Sequence, residues 1–139
     1  MKRLLLDLNV LLDVVLERPA APVAAHVWAA IERGRGQGYV TAHGVTTLFY
    51  VVARAQGRAF ARRATEGLMQ VFGVARVDQD VLRRALALDW PDFEDAVCAA
   101  AAEACECDAI VTRDPDGFRD SPVEVVEPAT AIAWLLADS

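Results

Sequence analysis

Arg3-Leu4-Leu5-Leu6-Asp7-Leu8-Asn9-Val10-Leu11-Leu12-Asp13 is the stretch that decides the fold. An apolar run reads as a short buried strand, ends at Asp7, and gives way to a second apolar stretch. A carboxylate at the exit of a buried strand is costly unless a cation or hydrogen-bond donors receive it. The pattern returns late in the chain, where Ala109-Ile110-Val111-Thr112 runs into Arg113-Asp114. Between the two lies Asp92-Phe93-Glu94-Asp95, which opens a long helix. Three carboxylate stations at element ends point to a divalent-metal site rather than to ordinary surface charge.

Outward from these stations, strands and helices alternate. Strands are expected at 3–7, 39–41, 74–77, 109–112 and 123–126. Helices are expected at 10–16, 24–33, 45–55, 58–72, from Asp78 or Asp80 to 88, 92–107 and 129–137. Apolar residues at helical spacing carry two of these: Val27, Trp28 and Ile31, then Val45, Leu48, Phe49 and Val52. Gly34, Gly36, Gly38, Gly57 and Pro91 punctuate the chain, and Asp116-Gly117 with Ser121-Pro122 marks a surface loop. Strands separated by helical crossovers favour a parallel sheet covered on both faces. The expected fold class is therefore α/β, with about four to five mostly parallel strands in one domain over residues 1–139. No internal repeat or long linker interrupts it.

Composition narrows the classes. At 139 residues and 55% apolar content the chain can bury a core, which excludes disorder. No segment is long and apolar enough for a membrane span, and Asp7 and Asp13 break the N-terminal run that loosely imitates a signal peptide. Cys98, Cys105 and Cys107 lie on or near one helix, with His26 and His43 far away in sequence, so free thiols are expected rather than zinc. A cytoplasmic, reducing location fits that usage. The net charge of −6 is unevenly spread: residues 1–77 balance to +5 and residues 78–139 to −11. Such a split lets one half hold a metal and the other a phosphate backbone.

In an open parallel sheet, ligands bind outside the carboxyl ends of the strands. Asp7 and Asp114 would share that rim, and so would the start of a helix that opens at Asp92 and feeds the strand at Ala109. Carboxylates gathered in one cleft repel each other, and a divalent cation such as Mg²⁺ removes the conflict. It would activate water against a phosphodiester. No Ser-His-Asp, Cys-His or Gly-rich phosphate pattern competes. Structural roles stand beside these readings. Asp7 has the position of a helix cap, Asp92 and Asp95 have capping-box spacing, and Asp114 before Pro115 suits a turn. Asp95, one turn inside its helix, is the better ligand of the pair.

Three segments together resemble the PIN-domain ribonuclease family, which includes the VapC-type toxins. They are Leu5 to Asp13, Asp92 to Val97, and Asp108-Ala109-Ile110-Val111-Thr112-Arg113-Asp114. The resemblance implies a three-layer α/β/α sandwich, a Mg²⁺ or Mn²⁺ site, and hydrolysis of RNA phosphodiester bonds. It makes Asp7, Asp95 and Asp114 the metal and catalytic acids, with Asn9 and Thr112 supporting them. Many members carry Glu before a Leu-Tyr-Tyr-like stretch. Here the stretch is Leu48-Phe49-Tyr50, and Thr47 holds the Glu position. Thr47 is a poorer Mg²⁺ ligand, which leaves Asp92 to supply the missing charge as a fourth acid. The resemblance also implies a small antitoxin partner and a homodimer.

Arg54, Arg58, Arg62 and Arg63 cluster near a helix junction and, with Arg113, are candidates to hold RNA phosphates. Tyr50 and Phe118 are candidates to stack on bases, with packing as the alternative. Three rival functions remain: a catalytically impaired PIN-like module that binds RNA or protein, a phosphotransferase using Asp7 as nucleophile, and a structural domain whose acids are caps. The phosphotransferase would place a second Asp where this chain has Asn9.

Overall fold

The computed structural model describes residues 1–137. Five strands form one sheet: β1 (Arg3–Leu6), β2 (Gln37–Thr41), β3 (Gly73–Ala75), β4 (Ala109–Val111) and β5 (Glu124–Val126). Seven helices accompany them: α1 (Leu8–Val15), α2 (Ala21–Glu32), α3 (Ala42–Gln56), α4 (Arg58–Val71), α5 (Gln79–Leu88), α6 (Phe93–Ala104) and α7 (Pro128–Ala137). The strand order is β3-β2-β1-β4-β5. Every neighbouring pair is parallel, with Leu5 opposite Tyr39 on one side and Ile110 on the other.

Alternation along β1 builds two cores, because successive side chains of a strand point to opposite faces. Leu4 and Leu6 join Val10, Leu11, Val27, Leu48, Leu68 and Leu135 on the face covered by α1 to α4 and α7. Leu5 and Ile110 face Val81, Ala85 and the Ala96–Ala102 run of α5 and α6. The result is the expected helix–sheet–helix sandwich. The α6 run is buried along seven consecutive residues, which is why it reads as apolar all round rather than amphipathic.

The boundaries differ from the sequence reading at three element starts. The first helix starts at Leu8 rather than Val10, directly after Asp7. The second starts at Ala21 with a proline in its first turn, where a missing N–H costs nothing. The 115–118 part of the expected loop is a short 3₁₀ turn, Pro115–Phe118. Phe118 is 3% exposed and stands edge-on to Trp90 at 5.9 Å, so it is a packing residue.

The order of connections positions the site. From β1 the chain builds outward through β2 to β3, then returns to lay β4 and β5 on the other side of β1. The reversal falls between β1 and β4, and their carboxyl ends frame the crevice where such sheets bind ligands. Because α6 feeds β4 and β4 is parallel to β1, the N-terminus of α6 reaches the same rim.

Candidate active site

Asp7 follows β1 and occupies the position before the first turn of α1, yet its side chain makes no capping hydrogen bond. Its Oδ2 instead accepts a hydrogen bond from the Thr112 hydroxyl at 3.0 Å. Thr112 is fully buried, and the same hydroxyl oxygen accepts the Asp114 backbone N–H at 3.1 Å. One side chain thus ties the acid after β1 to the chain after β4. Burial pushes the Asp7 carboxyl above its usual value, opposed by the Thr112 bond, the N–H dipoles of Leu8 and Asn9, and the charge of Arg113.

Asp92 behaves as the capping alternative foresaw: it accepts the Asp95 N–H at 3.1 Å and closes the first turn of α6. Its charge is nevertheless felt in the site. The Asp95 carboxyl is pushed up to about 6, by burial first and then by the charges of Asp92, Asp7, Asp114 and Glu94. Asp114 lies near Asp95, beside Gly117. A Cβ added to Gly117 would lie 3.0 Å from Asp95 Oδ2 and 3.4 Å from Asp114 Oδ2. A side chain at position 117 would crowd both acids.

A cleft of about 120 Å³ opens on the rim. The β1–α1 junction lines it with Leu6, Asp7, Leu8 and Asn9, the start of α3 with Thr41, His43 and Gly44, and α6 with Asp92, Glu94, Asp95 and Cys98. Asp114 flanks this lining rather than forming part of it. Glu94 and His43 were not singled out from sequence. His43 carried one signal: it precedes Thr47 by four residues and so shares its helix face. Thr47 is turned back on its own helix, its hydroxyl donating to the His43 carbonyl at 3.2 Å.

The donor set is hard oxygen under mutual repulsion, which suits Mg²⁺ or Mn²⁺. Among the described residues, no three acidic, histidine or cysteine side chains already form a metal-holding group. Asp7, Asp92 and Asp95 on the cleft, with Asp114 beside Asp95, are the oxygen donors available to such an ion. Burial pushes the Cys98 thiol well above its usual range.

The arginines are placed elsewhere. Arg113 makes a paired contact to Asp13, Nε to Oδ2 and Nη2 to Oδ1, the latter at 3.1 Å. Arg54 donates to the Tyr50 hydroxyl at 2.9 Å, and Arg62 pairs with Glu66 at 3.7 Å. At 1.5 Å per residue, Arg54 stands roughly 16 Å along α3 from His43. Arg58 and Arg63 lie exposed at the start of α4, Arg63 over the Phe60 ring. Among the described residues, no helix is long and apolar enough to cross a membrane.

Comparison with known proteins agrees with the fold. The sequence model of the PIN domain family matches residues 3–116. No curated protein matches in sequence. VapBC2 from Rickettsia felis, solved bound to a DNA fragment from its promoter, aligns with a TM-score of 0.73 and 11% identity over 90% of this chain and 98% of its own. VapC20 from Mycobacterium tuberculosis, described as a Sarcin-Ricin loop cleaving toxin, aligns at 0.68 and 16% identity, covering 82% and 92%. A toxin–antitoxin complex from Klebsiella pneumoniae aligns at 0.68 and 23% identity, covering 89% and 96%. At these identities the likeness is one of fold, and the family match supplies the rest. The chain belongs to the PIN domain family.

Proposed function

We propose that this PIN domain is a metal-dependent ribonuclease that hydrolyses RNA phosphodiester bonds. The observation that carries the reading is the meeting of Asp7, Asp92 and Asp95 on one cleft at the β1/β4 crevice, with Asp114 beside Asp95. Arg113, the cation whose charge reaches Asp7, is paired with Asp13, so a cation supplied from solution would relieve the repulsion among these acids. Asp7, Asp95 and Asp114 are the residues that would hold Mg²⁺ or Mn²⁺, and Asp92 adds charge while capping α6. When bound, such an ion supplies Lewis-acid activation of water and neutralises phosphate charge.

The chain's own residues do the positioning. Thr112 orients Asp7 and anchors the backbone at Asp114 through one hydroxyl. Asn9, on the first turn of α1, lines the cleft. Hydrolysis is expected to leave 5′-phosphate and 3′-hydroxyl ends.

We extend the proposal to the toxin of a toxin–antitoxin pair, with a small antitoxin partner and a homodimer. The support is that structural neighbours are themselves toxin–antitoxin complexes. Free cysteines suit action in a reducing cytoplasm. The deciding experiment incubates purified protein with single-stranded RNA in Mn²⁺ and in EDTA and maps the product ends. Cleavage in Mn²⁺ that stops in EDTA is expected. RNA binding without cleavage in either would replace this reading with that of a non-catalytic binding module, which Thr47 favours. Light scattering reads the oligomer: twice the 15.1 kDa chain mass is expected.

A further inference from the structure

Helix α3 enters the acidic cleft with its first turn, and the functional side chain it brings is His43. That turn is pressed against the end of β2. A Cβ on Gly44 would stand 2.7 Å from Thr41 Oγ1 and 3.4 Å from Val40 Cγ2, so position 44 tolerates no side chain as packed. Thr41 closes the turn by accepting the Gly44 N–H at 3.1 Å. His43 is thereby fixed at the cleft wall. Thr47, one turn further on, spends its hydroxyl on the His43 carbonyl and is not part of the cleft lining.

The imidazole has bonding capacity left over. No hydrogen bond among the described residues reaches either ring nitrogen, and Nδ1 is buried without a partner. Buried polar atoms in folded proteins are seldom left so. The other ionisable groups on the cleft are Asp7, Asp92, Glu94, Asp95 and Cys98. His43 is therefore the one lining side chain able to carry positive charge. Ionised carboxylates only accept hydrogen bonds, whereas a neutral imidazole always offers one N–H. An incoming phosphodiester anion is repelled by the acids and can be received by that donor. Arg113, the cation whose charge reaches Asp7, is committed to Asp13. Whether the imidazole meets substrate or metal is decided by the metal-affinity arm of the test below.

We propose that His43 donates its Nε2–H, the ring nitrogen that is neither hydrogen-bonded nor buried like Nδ1, to a phosphate oxygen of the RNA strand in the cleft, making it the substrate contact that α3 contributes in this chain. The proposal rests on the nuclease reading for the identity of the strand. It gives the cleft an anion-receiving side opposite its cation-receiving carboxylates.

The test titrates full-length wild type, His43→Ala and His43→Gln with a short fluorescein-labelled single-stranded RNA in Ca²⁺, and measures Mn²⁺ affinity separately by electron paramagnetic resonance. His43→Ala should weaken RNA binding about tenfold, the scale of one hydrogen bond to a charged group. His43→Gln keeps an N–H donor and should recover most of that loss. Mn²⁺ affinity should be unchanged in both. Equal RNA affinity in wild type and His43→Ala overturns the proposal. Loss of Mn²⁺ affinity in His43→Ala overturns it too, because His43 would then be a metal ligand. A wild type that binds RNA but never cleaves it defeats the nuclease reading alone, and the RNA titration still decides the role of His43. A wild type that binds no RNA defeats both.

Discussion

The two ends of α1 each hold an aspartate withdrawn from solvent, and their surroundings are opposite. Asp13, near the C-terminal end, is 1% exposed and meets two guanidinium groups, Arg113 in a paired contact and Arg18 at 3.6 Å. Asp7, before the N-terminal end, receives one hydroxyl and faces further acids. Asp13 is a finished structural ion pair. Asp7 is left without a paired cation in a place that selection for stability alone would neutralise. Burial by itself therefore does not single out a candidate functional carboxylate; burial without a counter-charge does.

The sharpest way to break this contrast is Asp7→Asn. It removes a charge from a repulsive cluster, so Mn²⁺-dependent RNA cleavage should be abolished while the melting temperature holds or rises. Unfolding of this variant would make Asp7 structural, as Asp13 is. Arg113→Met probes the other end of the helix. It leaves the Asp13 carboxylate buried with only the looser Arg18 contact, and should cost about 3 kcal/mol in urea denaturation. A loss too small to resolve would mean that Arg18 suffices, and that the two ends of α1 differ less than their contacts imply.

Thr112→Val tests the link between the acids. The isosteric change removes the donor to Asp7 and the acceptor for the Asp114 N–H. Activity should fall about 10- to 100-fold, as for other residues that orient metal ligands. Stability should fall by about 1 kcal/mol for the two hydrogen bonds lost at a half-buried position. Unchanged cleavage would show that Asp7 holds its orientation without the hydroxyl.

The smallest effect is one of pH. Asp95 titrates near 6 in the folded protein against 3.8 for an unperturbed Asp. The folded state then binds this proton more tightly than the unfolded chain, so metal-free protein should lose stability as pH rises from about 4 to about 6. Melting in EDTA should show that decline, Asp95→Asn should flatten it, and Mn²⁺ should restore stability at the upper end. A flat profile in the wild type would mean that the acids do not feel each other.

How much was legible from sequence follows the range of each interaction. Asp92 was readable as a cap because a cap bonds three residues along its own chain. The rim shared by Asp7, Asp114 and the start of α6 was readable because parallel strands put every carboxyl end on one side. The engagement of Arg113 with Asp13, one hundred positions away, left no trace in either segment. Thr47 drew attention by its departure from the family pattern, whereas His43, one turn earlier, reached the cleft.

From sequence alone came the alternation of strands and helices, the parallel sheet, and three acids at element ends. These follow from hydrophobic period and chain order, which act over a few residues. Tertiary structure alone decided which acids found a counter-charge, that one threonine hydroxyl serves two segments, and which residue of α3 lines the site. Those outcomes depend on how remote segments pack, because a charge is silenced or left exposed by whatever the fold brings beside it.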